Sequence, residues 1–92
     1  MDIETRSYIA SGRVQGVGYR WFVMHRARTL GIVGWVRNRR DGTVEVWAKG
    51  KREALNELEK ALREGPPGAL VRGLHGGPLA PLGTYRDFVV RY

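Results

Sequence analysis

The residues best suited to chemistry lie in two stretches. The first is Gly12-Arg13-Val14-Gln15-Gly16-Val17-Gly18-Tyr19-Arg20. It joins a β-prone run to the start of a helical pattern. Backbone N–H groups at such a junction are unpaired, and a glycine-containing turn can aim several of them inward at an anion. Gly16 and Gly18 permit backbone angles and a close approach that a side chain would block. Arg20 falls in the first helical turn, where its planar fork can lean over the same place and match phosphate oxygens in pairs, which lysine cannot copy. From spacing alone, a tight turn carrying a solvated arginine accounts for this stretch equally well. The second stretch runs Gly34-Trp35-Val36-Arg37-Asn38-Arg39-Arg40-Asp41-Gly42-Thr43-Val44, with Gly50 beyond. Taken alone, Asn38 is only a residue entering a turn.

The elements that must position these residues follow from periodicity. Ser7 to Val14 alternates as a strand, with Tyr8, Ala10 and Val14 on one face and Ser11 and Arg13 on the other. Tyr19 to Leu30 has a helical stripe of Tyr19, Phe22, Val23, Ala27 and Leu30, stopped by Gly31. Two strands, Gly34 to Asn38 and Thr43 to Ala48, flank Asp41-Gly42, a hairpin signal. Lys51 to Glu64 is the clearest helix, with Ala54, Leu55, Leu58, Ala61 and Leu62 on one side and a Glu59–Arg63 pair. Gly65-Pro66-Pro67-Gly68 ends it. A weaker strand is expected from Ala69 to His75, a Gly/Pro loop from Gly76 to Gly83, and a closing strand from Tyr85 to Tyr92 with Phe88, Val90 and Tyr92 on one face. The order is β-α-β-β-α-β with a short C-terminal strand. It implies an α+β, ferredoxin-like split βαβ fold, an antiparallel sheet with both helices on one face. That fold hosts many functions and does not choose among them.

With 92 residues, one domain spanning 1–92 is the natural reading. No cysteine is present, which excludes disulfide scaffolds, thiolate metal sites and cysteine nucleophiles. No apolar run approaches the roughly 20 residues of a membrane span, and the acidic start is unlike a signal peptide. A soluble, cytoplasmic protein without membrane contact is expected. The net charge is +7, mostly from arginine, and suits either nucleic acid or small anionic substrates. Residues 1–49 carry nine Lys/Arg against four Asp/Glu, and residues 50–92 seven against five, so an anion site is expected in the first half.

Read together, the two stretches point to a family. GRVQGVGYR followed by GWVRN, three residues, Gly, one residue, Val, five residues and Gly resembles both signature motifs of the acylphosphatases, in order and without a gap. Length and element order also fit, so the resemblance covers essentially the whole chain. It implies hydrolysis of carboxyl phosphates to a carboxylate and inorganic phosphate, with no cofactor, metal or covalent phosphoenzyme. It also implies that Arg20 binds the phosphate, that Asn38 orients the attacking water, and that Gln15, Gly16, Val17, Gly18 and Tyr19 cradle the phosphate through backbone N–H groups. The departure from the pattern is Val71 to Gly77, richer in glycine than the expected strand. The chemistry agrees with the implication: a carboxylate leaves without being protonated, so no general acid is needed.

The remaining candidates have plain readings. His25 and His75 stand alone without ligand spacing. Asp41 is the hairpin turn residue. Arg39 and Arg40 are solvated turn residues or steer an anionic substrate. Trp21, Trp35 and Trp47 pack, although Trp47 shares a strand face with Lys49 and could be half exposed. Glu53, Glu57, Glu59 and Glu64 form the wet face of the second helix. The rival function is a basic nucleic-acid-binding module of the same fold class, which needs exposed aromatics on the central strands; here Thr43 to Ala48 offers only Trp47. A domain cut from a larger carbamoyl-transfer protein is a third reading; the start at Met1 and the lack of a Cys-rich continuation favour a stand-alone enzyme, expected to be a monomer.

Overall fold

A computed structural model of the chain describes residues 3–79 and 84–92. The elements run β1 (Ile3–Arg13), α1 (Tyr19–Thr29), β2 (Val33–Asn38), β3 (Val44–Lys51), α2 (Arg52–Glu64), β4 (Leu70–Pro78) and β5 (Phe88–Arg91). The strands form one sheet in the order β4-β1-β3-β2-β5. Each helix links two parallel strands that are separated by a third, which is the split βαβ arrangement expected from the sequence. The first four strands pair antiparallel. β5 lies parallel to β2, with Gly34 opposite Phe88 and Val36 opposite Val90, so the complete sheet is mixed.

Strand alternation decides which residues meet the helices. Tyr8, Ala10, Val36, Val44, Val46, Ala48 and Phe88 form the inward face and are 2% exposed or less. They pack against Tyr19, Val23, Met24 and Ala27 of α1 and against Leu55, Leu58 and Leu62 of α2. The three leucines are fully buried, each stabilising the fold by about 1.5–3 kcal/mol through burial. The two expected helical stripes are therefore the core stripes, with Phe22, Leu30 and Ala54 at their half-buried margins.

Three expectations need correction. The Gly/Pro loop placed from Gly76 does not begin there: β4 continues through Gly77 to Pro78, paired with Ser7 and Arg6 of β1. Backbone pairing, not side-chain pattern, holds this strand, and at Gly76 a Cβ would sit 1.9 Å from the Ser7 carbonyl oxygen, so only glycine fits. The end of that expected loop, 80–83, lies outside the described residues. The last strand is shorter than Tyr85–Tyr92, because only Phe88–Arg91 finds a partner in β2. Of the three tryptophans, Trp35 and Trp47 are buried, at 8% and 6% exposed, whereas Trp21 is 51% exposed and packs little. Trp47 lies on the sheet face away from the helices, yet Tyr85 covers it at a ring separation of 4.9 Å. Trp35 opposes Trp47 across the β2–β3 ladder and lies under the guanidinium of Arg91 at 4.9 Å and that of Arg37 at 5.4 Å.

Candidate functional site

The candidate residues collect at one end of the sheet, where β1 feeds α1 and where β2 and β5 end. Residues 14–18 form the bend between β1 and α1. Val14 is 1% exposed and Val17 is half-buried against the core, so both anchor the bend. Gly16 and Gly18 have φ of 74° and 78°, the left-handed region, and Gly18 is the N-cap of α1. No side chain caps this helix and its first turn has no acidic residue. Among the described residues, no N–H from Gln15 to Arg20 donates to a backbone carbonyl in a turn or cap; Phe22 is the first to do so, to Gly18 at 3.0 Å. The bend thus presents a set of unpaired donors at the positive end of a helix, the physical requirement for holding an anion.

The five cradle residues divide in their side chains. Tyr19 contributes only its backbone: its ring is 1% exposed in the core and its hydroxyl donates to the Leu62 carbonyl at 2.8 Å. Burial drives the Tyr19 phenol well above its ordinary pKa. Gln15 reaches away from the bend, with its Nε2 donating to the Arg39 carbonyl at 2.8 Å and the Thr43 carbonyl at 2.9 Å.

Arg20 is half-buried on the first turn of α1. It forms no ion pair with any described carboxylate, and its Cζ lies 4.8 Å from the centre of the Tyr92 ring. Asn38 is the last residue of β2 and continues the inward side of Gly34 and Val36. Its Oδ1 is buried and accepts no hydrogen bond among the described residues. A buried amide oxygen without a donor costs stability. Tyr92 was read from sequence as an ordinary strand residue. The β2–β5 register, carried on two residues from Val36–Val90, sets it beside Asn38, and the two line one open cleft of about 670 Å³ with Arg37, Arg39, Arg40 and Asp41.

Arg39 and Arg40 against Asp41 make this cleft positive. A cleft of about 410 Å³ at the far end of β1 carries Glu4 against Lys49, and another of about 360 Å³ carries Asp87 against Arg28 and Arg86. The cleft beside Asn38 holds two arginines that form no ion pair among the described residues, Arg39 and Arg40. Asp41 acts as the turn residue: its Oδ1 accepts from the Thr43 hydroxyl at 2.5 Å and from the Thr43 N–H at 3.0 Å. Those bonds hold its carboxyl below the ordinary range. Arg37 is drawn to the opposite sheet face by Glu45, at 2.8 Å. Among the described residues, no three His, Asp or Glu side chains come together in a way that could hold a metal ion.

Fold and site together define an α+β protein whose first βα bend presents unpaired backbone N–H groups beside an arginine-lined cleft. The sequence model of the Acylphosphatase family matches residues 6–90. An acylphosphatase of Koribacter versatilis is 49% identical over 85 residues, covering 92% of this chain and 77% of that protein. The crystal structure of an acylphosphatase from Bacillus subtilis superposes with a TM-score of 0.92 at 36% identity, covering 96% of this chain and 98% of the other. The structure of an acylphosphatase from Coxiella burnetii gives 0.92 at 37% identity, covering 98% and 94%. The chain belongs to the acylphosphatase family of enzymes.

Proposed function

We propose that this enzyme hydrolyses acyl phosphates by direct attack of a water that Asn38 orients on a phosphoryl group held by Arg20 and the backbone of Gln15, Gly16, Val17, Gly18 and Tyr19. The observation that carries the reading is Asn38 at the end of β2, lining the arginine-rich cleft at the same end of the sheet as the β1–α1 bend. The side-chain amide of Asn38 can hydrogen-bond a water in that cleft and so aim a lone pair of the water at phosphorus. The Arg20 fork and the bend N–H groups neutralise charge on the three equatorial oxygens, which is most of what phosphoryl transfer requires. The bond between phosphorus and the acyl oxygen breaks and one from phosphorus to the water oxygen forms. The water's proton passes to a phosphoryl oxygen, and the products are a carboxylate and inorganic phosphate.

Specificity follows from the leaving group. A carboxylate has a conjugate acid pKa near 4 and departs unaided. The alkoxide of an ordinary phosphate ester is far more basic and needs a general acid, and the site offers none beyond the low Asp41 carboxyl. The same reading has the enzyme acting without metal, as a cytoplasmic monomer on small molecules. Hydrolysis of benzoyl phosphate by purified protein, with and without excess EDTA, tests it. Turnover unchanged by the chelator is expected; loss of activity restored by a divalent ion overturns the mechanism. The nucleic-acid reading relied on Trp47 as a stacking surface, and that ring is 6% exposed beneath Tyr85.

A further inference from the structure

The motif residue Gln15 has a backbone use in the phosphate bend, but its side chain is engaged elsewhere. Both Nε2 hydrogens go to carbonyls 24 and 28 residues along the chain, those of Arg39 and Thr43. These are the two carbonyls that close the hairpin tip: Arg39 N–H donates to Thr43 O at 2.8 Å, and Gly42 N–H to Arg39 O at 3.2 Å. Asn38 immediately precedes that tip and is paired with Val44, which immediately follows it. Among the described residues, the two Gln15 bonds are the hydrogen bonds that join the phosphate bend to the hairpin. Arg39, Arg40, Asp41 and Gly42 are otherwise exposed and held by bonds within the turn. An exposed hairpin tip secured only by itself opens at low free energy.

We infer that Gln15 is a positioning residue: its side-chain amide sets the spacing between the phosphate-holding bend and Asn38, and so the line along which water reaches phosphorus. The inference rests on the water-orienting reading of Asn38. Glutamine suits the task for a definite reason. Its amide nitrogen carries two hydrogens in one plane, enough to serve two carbonyls. A glutamate of the same shape would bring a third negative oxygen up to both. Asparagine would fall short by one methylene, about 1.5 Å of reach.

The test is a double-mutant cycle on kcat. Gln15→Met keeps the length, removes both donors and leaves the residue 15 N–H in place. It should lower kcat on benzoyl phosphate about 10- to 100-fold, the scale of roughly 1 Å of misplacement. The competitive inhibition constant of inorganic phosphate should stay within about threefold. In an Asn38→Ala background the same change should cost less than about threefold, since the residue it positions is gone. Gln15→Asn, a smaller perturbation read by the same criteria, covers the case in which Gln15→Met does not fold. An equal loss in both backgrounds, or phosphate affinity falling while kcat holds, overturns the positioning role and assigns Gln15 to the phosphate bend alone. Near-normal kcat in folded Asn38→Ala overturns the water-orienting reading itself, and this inference with it.

Discussion

Arg20→Ala removes a guanidinium that makes no ion pair with a described carboxylate and rests on the Tyr92 ring at 4.8 Å. Tyr92 is 91% exposed, so the folding energy lost is one wet cation–π contact, about 0.5–1 kcal/mol. For a chain of this size that lowers Tm by no more than about 8 °C. On the proposed mechanism, catalysis loses two charge-assisted hydrogen bonds to the phosphoryl oxygens, about 1.5–3 kcal/mol each. The sum, about 3–6 kcal/mol, is a fall of roughly 10²- to 10⁴-fold in kcat/KM. Arg20→Lys should also behave as a loss, because a point charge cannot reproduce the fork. Arg6→Ala is the opposing control. Its guanidinium donates to Glu4 at 3.0 and 3.3 Å and to Asn56 at 2.8 Å, and its side chain is 12% exposed. It stands seven residues before Arg13, roughly 23 Å along β1 from the site. Arg6→Ala should therefore lower Tm more than Arg20→Ala and leave kcat/KM unchanged. Thermal melts and steady-state hydrolysis of benzoyl phosphate on the three proteins decide the matter. The reasoning fails if folded Arg20→Ala keeps kcat/KM within about fivefold of the parent, or if Arg6→Ala loses as much activity as Arg20→Ala.

Asn38→Ala should lower kcat by on the order of 10²-fold or more with phosphate affinity little changed, since on the proposed mechanism its side chain serves the water and not the phosphoryl group; kinetics with calorimetric phosphate titration checks both halves. Inorganic phosphate should inhibit competitively, because the bend and Arg20 meet the same head group in substrate and product; a purely noncompetitive pattern in initial rates would place the anion site elsewhere. Burial raises the Tyr19 pKa above its unfolded value near 10, so the neutral phenol's contribution is complete below about pH 10 and is lost as pH rises through the folded value. Denaturant unfolding should show stability declining above pH 10, less steeply in Tyr19→Phe, with the buried Tyr8 phenol retaining part of the slope. At neutral pH, Tyr19→Phe should cost about 1–3 kcal/mol, because the Leu62 carbonyl loses its donor.

Local pattern carried much of this protein. The stripes of Tyr19, Val23 and Ala27 and of Leu55, Leu58 and Leu62 are core stripes because helical period and burial are the same information. Asp41-Gly42 marks the turn between β2 and β3 because Asp41 caps it with bonds to Thr43, within its own neighbourhood. Gly16 and Gly18 were legible as a tight bend before α1 because backbone freedom is a property of residue type, and both take the left-handed region there. Asn38 was singled out only through its motif, since its place on the cleft beside Tyr92 depends on which strand pairs with β2.

Other features have no local signature. That β5 joins β2 in parallel is a choice of backbone partner, and backbone groups pair alike whatever side chains they carry. That choice brings Tyr92 to Arg20 and Asn38. β4 runs on through Gly77 because β1 offers it a ladder, which its glycine-rich composition could not announce. Trp47 is buried by Tyr85, 38 residues later, and Trp21 is left exposed although it sits on a well-formed helix. Gln15 looked like one more member of a turn until the hairpin tip folded within reach of its amide. Sequence by itself determined the family, the order of elements and the candidates for holding a phosphate and placing a water. Only the tertiary structure decided what stands between them, because side-chain spacing records the face a residue takes and carries no record of the strand or loop it will meet there.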